Sequence, residues 1–242
     1  MSFPRRRESI AANVDSRLRG NDGTHDGNQL KMNRRNALLK ALKPAYLLPT
    51  LLLFSEQTLA GGQLEEPLAD SVRSALSAAV QSTAPPIPEF NDTESRLKYL
   101  RWLGQMSDRL YPKKRDFNTR KEFLQTVWYE SKRAGLDTSL VLGLITVESN
   151  FRKYAVSPVG ARGYMQIMPF WMRVIGGSEK GDPSKLFHMQ TNIRFGCVIL
   201  RHYLDRENGN LFMGLGRYNG SRGKAAYPDA VLGAKKKWEF AG

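Results

Sequence analysis

Cysteine, histidine and long apolar runs are all scarce in this 242-residue chain, and each scarcity excludes something. Cys197 is the single cysteine, which excludes an intramolecular disulfide framework and any cysteine-rich zinc site. Histidine occurs only at positions 25, 188 and 202, with no pair at a ligand spacing such as i, i+4. That scarcity argues against a metal-dependent mechanism, and nothing in the sequence asks for a cofactor. The longest apolar stretch, residues 45–54, is about half the ~20 residues that a bilayer span requires. No segment alternates apolar and polar residues as a half-buried strand would.

Acidic residues are also in deficit: 37 Lys and Arg stand against 23 Asp and Glu, a formal net charge of +14. Residues 1–60 carry ten of the basic and five of the acidic residues, which leaves +9 on 61–242. Such a surface favours an anionic partner: a nucleic acid, a membrane face or an acidic polymer. Charge alone does not choose among these.

The chain divides by composition. Residues 32–60 have the make-up of an export signal: Met32, then Arg34, Arg35, Lys40 and Lys43, the apolar run, and Thr58-Leu59-Ala60 as small residues for cleavage before Gly61. With no cysteine beside that cleavage point, a lipoprotein anchor is excluded, and no stable membrane anchor is expected. Residues 1–31 have no apolar periodicity and read as a non-native or disordered extension, with translation expected to start at Met32. Residues 61–95, rich in Ala, Ser and Pro, read as a linker in which Leu68, Val72, Leu76 and Val80 mark a short amphipathic helix. From residue 96 to 242 the helical period dominates, so the fold class is mainly α, in a single domain.

Within that domain Leu97, Leu100, Leu103, Met106 and Leu110 define one apolar stripe. Thr119-Arg120-Lys121-Glu122 fits a capping box opening a helix that stops near Gly135. Asp137 suits the cap of an almost wholly apolar helix ending at Ser149, and Asp182-Pro183 turns into a helix carrying Ile193, Gly196, Cys197, Leu200 and Leu204. Two more helices are expected, over about 211–218 and 228–238. Glu148 is the anomaly, a carboxyl closing a run, 140–147, that has no charge. Burial there would raise its pKa, as a general acid near neutral pH requires; on position alone it could equally point into water. Gly160 and Gly163 bracket a tight loop running into Tyr164-Met165-Gln166-Ile167-Met168-Pro169. That loop could fold over the helix end and bring an amide suited to sugar hydroxyls.

Glu148-Ser149-Asn150-Phe151, followed by the block from Ala155 to Pro169, resembles the signature of the soluble-type lytic transglycosylases, relatives of goose-type lysozyme. The likeness continues through Asp182-Pro183, Asn192-Ile193…Gly196 and Tyr218-Asn219-Gly220. The resemblance implies a lysozyme-like catalytic domain with an active-site groove. It implies cleavage of the peptidoglycan β-1,4 bond between N-acetylmuramic acid and N-acetylglucosamine, leaving 1,6-anhydro ends. It makes Glu148 the sole acid/base, puts the Ser157 hydroxyl at the catalytic site, and lines the groove with Gln166 and Met168. It has Tyr218 hydrogen-bond the acid, with Asn219 binding substrate beside it. Tyr164 departs from the family's usual leucine, and Arg217 and Gly220 from its usual alanines. The implied setting is the periplasm of a bacterial envelope, the partner peptidoglycan strands, with wall-remodelling or envelope-spanning machinery open. A monomer is expected. A lysozyme-type hydrolase and a non-catalytic peptidoglycan-binding protein stay as alternatives. A nucleic-acid binder does not fit, since the basic residues are scattered rather than interleaved with aromatics.

Overall fold

The computed structural model describes residues 63, 72–74, 76–77, 87–175 and 182–241, all within one compact unit spanning 54–242. The extension, the signal segment and most of the linker lie outside the described residues. Residues 72–74 and 76–77 are helical, and Leu76 is fully buried in the core.

Seven α-helices follow in order: α1 (Thr93–Leu110), α2 (Phe117–Arg133), α3 (Thr138–Ser149), α4 (Phe170–Ile175), α5 (Met189–Arg206), α6 (Leu211–Asn219) and α7 (Ala226–Lys236). A 3₁₀ turn, Pro183–Phe187, leads into α5. Among the described residues no strand forms; two isolated bridges, Val156 to Arg162 and Arg162 to Ile167, tie the loop between α3 and α4. The mainly α expectation is met. No described helix is long and apolar enough to cross a membrane.

Short polar side chains start the helices, as sequence chemistry dictates. Asp92, Asp116 and Asp137 accept from the backbone N–H of Ser95 at 2.7 Å, Thr119 at 2.7 Å and Ser139 at 2.8 Å. The capping box expected at Thr119 is therefore displaced: α2 begins at Phe117, because Asp116 offers the stronger acceptor and also takes the Thr119 hydroxyl. The stripe expected on α1 is rotated too. Leu97 and Leu100 are about half exposed, while Tyr99, Trp102, Met106 and Leu110 face inward. Tyr99 turns that face by stacking between Phe90 at 5.0 Å and Trp128 at 5.0 Å.

Helix α3 is the central rod. Leu140, Val141, Leu142, Leu144 and Ile145 are all buried, each contributing on the order of 1.5–3 kcal/mol of apolar transfer. Its most extensive partner is α7. Gly143 permits their approach, since a Cβ there would lie 2.7 Å from the Lys235 backbone nitrogen. The two helices run antiparallel: Asp137 at the start of α3 pairs with Lys235 near the end of α7 at 3.2 Å. That crossing brings the first residues of α7 to the last residues of α3, where Glu148 lies.

Candidate active site

The end of α3 is closed tightly. Asn150 adopts a left-handed conformation (φ 49°), as does Phe151 (φ 64°), which turns the chain away at once. Glu148, on the last turn, is 5% exposed. Its Oε1 accepts from the Tyr227 hydroxyl of α7 at 2.5 Å. Its Oε2 is buried and has no partner. Burial raises the carboxyl from 4.5 to about 8, against the smaller downward pull of the Tyr227 hydrogen bond. No charged group contributes to that shift, so the acid is set by desolvation rather than by a second carboxylate. Among the described residues the other buried carboxylate is Glu130, which Arg194 holds at 2.8 Å between α2 and α5.

The loop from Ala155 to Met168 covers this helix end. Asn192 of α5, fully buried, anchors it by accepting from the Met165 N–H at 2.8 Å. The same side chain donates to the carbonyls of Arg162 at 2.9 Å and Leu186 at 2.7 Å. Two glycines make this fit possible. Gly163 (φ 77°) has no room for a Cβ, which would lie 2.4 Å from the Asn192 amide nitrogen. A Cβ on Gly196 would lie 2.3 Å from the Met165 sulfur. Ser149 Oγ, next to the acid, donates to the Tyr164 carbonyl at 2.7 Å.

The residues named from the sequence take different places. Met165 and Tyr218 are fully buried, and the half-buried Met168 packs on the core, a dry apolar backing. Tyr218 does not hydrogen-bond Glu148: its hydroxyl donates to the Met165 carbonyl at 2.8 Å, and the phenol on the acid is that of Tyr227. The reason is the antiparallel α3–α7 crossing, which puts the start of α7 opposite Glu148 while α6 sets Tyr218 behind the loop. Gln166, 2% exposed and left-handed (φ 49°), spends its Nε2 on the carbonyls of Ala155 at 3.1 Å and Gly163 at 2.9 Å. It knits the loop before it can face a ligand. Ser157 Oγ accepts from the Ala161 N–H at 3.0 Å, closing the Pro158-Val159-Gly160 turn. Asn219 donates to Ser221 Oγ at 3.1 Å, and its Oδ1 is buried without a partner.

Two of the three departures, Tyr164 and Arg217, are absorbed by their neighbours. Tyr164 is 2% exposed, edge-on to Phe123 at 4.9 Å, with its hydroxyl accepting from Lys114 at 2.8 Å. Arg217 pairs with Glu207, which Arg222 also holds at 2.7 Å; the two guanidinium groups pull the Glu207 carboxyl down to about 2. Sequence reasoning missed Tyr227, whose only signal was its place at the start of the last helix. It also missed Gln63, which is buried and reaches the carbonyl of Gln166 from the linker. A cavity of about 820 Å³ opens at the far end of α3 between Phe90, Trp102, Trp128 and Trp238 and does not include Glu148.

A buried glutamate at a helix end, under a glycine-hinged loop in an all-helical domain, defines a candidate acid/base site. Residues 125–241 match the family described as the transglycosylase SLT domain. Among similar proteins are the membrane-bound lytic murein transglycosylase C of Mannheimia succiniciproducens, 36% identical over 85 residues, and the transglycosylase of Enterobacteria phage PRD1, 33% identical over 118 residues. These alignments cover 33% and 46% of this chain, and 24% and 42% of the relatives' own lengths. A solved structure of an inactive mutant of the lytic transglycosylase Slt from Pseudomonas aeruginosa aligns over 73% of this chain and 36% of its own, at 19% identity and a TM-score of 0.40.

Proposed function

We propose that the protein is a peptidoglycan lytic transglycosylase in which Glu148 is the sole acid and base. One observation carries this reading: Glu148 is buried, held at one oxygen by Tyr227, unpartnered at the other, and protonated at neutral pH because its pKa stands near 8. The SLT match and the names of the relatives supply the substrate class.

The reaction follows from what one such carboxyl can do. The Oε2 proton passes to the oxygen of the β-1,4 bond between N-acetylmuramic acid and N-acetylglucosamine, and the C1–O bond breaks. The oxocarbenium-like centre is steadied by the sugar's own N-acetyl group, which is why no enzyme carboxylate beside Glu148 is needed. Tyr227 donates to the carboxylate that is left. That carboxylate then removes the proton of the muramic C6 hydroxyl as its oxygen bonds to C1, closing the 1,6-anhydro ring. The proton given to the leaving sugar is replaced by the one taken from the C6 hydroxyl, so Glu148 is restored and no water is consumed. Attack within one sugar ring has a high effective concentration, which replaces positioning of a second reactant. The dry backing of Met165 and Tyr218 favours the sugar hydroxyl over water.

Asn219, with its orphaned Oδ1, and the surface of Met168 are assigned to substrate, and Ser157 and Gln166 to shaping the loop against it. In this reading residues 32–60 direct the chain to the periplasm, where +9 on residues 61–242 meets the carboxylates of the wall polymer. Mass spectrometry of products released from peptidoglycan tests the proposal. Anhydromuropeptides from the wild type and none from Glu148→Gln are expected. Products heavier by one water would make the protein a hydrolase, and no release from either would withdraw the enzyme.

A further inference from the structure

Gln63 lies 103 residues before Gln166 and outside the segment 125–241 that matches the SLT family, yet its side chain is 4% exposed. Its Oε1 accepts from the indole N–H of Trp171 at 2.9 Å and from the backbone N–H of Met168 at 3.3 Å. Its Nε2 donates to the backbone carbonyl of Gln166 at 3.3 Å. The Tyr218 hydroxyl is a further polar neighbour. Two N–H donors and one carbonyl acceptor, converging on a buried point, complement a single amide group. Nothing in that complement is particular to glutamine. The acetamido group on C2 of an N-acetylhexosamine offers the same C=O and N–H.

The location makes the coincidence consequential. The notch is built on Gln166 and Met168, in the loop that covers the end of α3, and Tyr218 at its edge donates to the Met165 carbonyl of the same loop. Such a notch favours an occupant, because its N–H and C=O groups are buried and unpaired without one. Two amides do not fit one set of partners, so Gln63 and a glycan acetamide exclude each other.

We propose that Gln63 is an intramolecular occupant of an acetamide-binding notch, and that a glycan strand must displace it to bind. The proposal rests on the N-acetylated-glycan reading above. A tethered occupant competes at high effective concentration, so it lowers apparent glycan affinity by the fraction of time the notch is open. Gln63 thus acts as a built-in competitor that a long substrate with several subsites overcomes more readily than a short one.

The probe is the soluble β-1,4-linked tetramer of N-acetylglucosamine, titrated calorimetrically into Glu148→Gln protein with and without Gln63→Ala. Gln63→Glu serves as the second variant, because a carboxylate cannot donate to the Gln166 carbonyl. Both are expected to bind the tetramer about tenfold more tightly, as release of a notch occupied nine-tenths of the time requires. Unchanged or weaker binding in the two variants would overturn the proposal and make Gln63 a pin that shapes the loop. Cleavage of peptidoglycan by the otherwise native chain is measured beside it. Tighter binding by the variants without cleavage would sink the enzyme and leave the occupant, whereas cleavage without tighter binding would sink the occupant and leave the enzyme.

Discussion

Replacing Glu148 by glutamine should stabilise the protein, and increasingly so as the pH rises. Burial lifts the carboxyl from 4.5 to about 8. Between those values the folded chain holds a proton that the unfolded chain has released, so unfolding free energy falls by about 1.4 kcal/mol per pH unit. The sign is that of a raised acid: its stabilising contribution is whole below 4.5 and is lost as pH climbs through about 8. Glutamine keeps an oxygen for the Tyr227 hydroxyl and has no proton to lose. The difference in stability between Glu148→Gln and wild type should therefore grow by roughly 3–4 kcal/mol from about pH 5 to about pH 8 and flatten above. Urea unfolding of both proteins across that range measures it, and taking the difference cancels the common titrations of Glu130 and Glu207. A difference that stays constant with pH would refute the reasoning, since Glu148 would then titrate as an ordinary carboxylate.

The other expectations concern its surroundings. Tyr227→Phe removes the bond that pulls the Glu148 pKa down, so the alkaline limb of kcat/KM on glycan should move to higher pH. Activity should fall roughly 10- to 100-fold, the worth of a hydrogen bond to a charged group. Gly196→Ala drives a methyl into the Met165 sulfur and should destabilise by about 1–3 kcal/mol in urea unfolding, with the loop and hence activity disturbed. Arg194→Ala strips the buried Glu130 of its ion-pair partner between α2 and α5, and should cost on the order of 3–5 kcal/mol, read from the shift of the urea midpoint.

Much of this architecture was legible because it is local. Asp137 followed by an uncharged apolar run announces α3, its cap and its burial, and Glu148 stands out against that run without any structure. Gly135 (φ 63°) ends α2 where the sequence places the stop. What stayed hidden is long-range. Leucines mark a stripe on α1, but which face turns inward depends on Phe90 and Trp128, distant partners that select Tyr99 instead. The two tyrosines near Glu148 illustrate the same limit. Tyr218 and Tyr227 are nine positions apart, and nothing in their flanks tells which hydroxyl reaches the acid; the closeness of α3 and α7 at Gly143 decides it. Gln63 has no local signal at all, since its meaning lies in groups more than a hundred residues away.

The pairing of Glu148 with Tyr227 has a temporal side. The acid is made early in the chain and its phenol arrives 79 residues later, on the last helix. Until α7 docks, Glu148 lacks the Tyr227 hydroxyl and one wall of its burial. A chain that lacks α7 therefore carries Ser157, Gln166, Met168 and Asn219 without the phenol that holds the acid. The proton-donating capacity of Glu148 is thus conferred by completion of the fold.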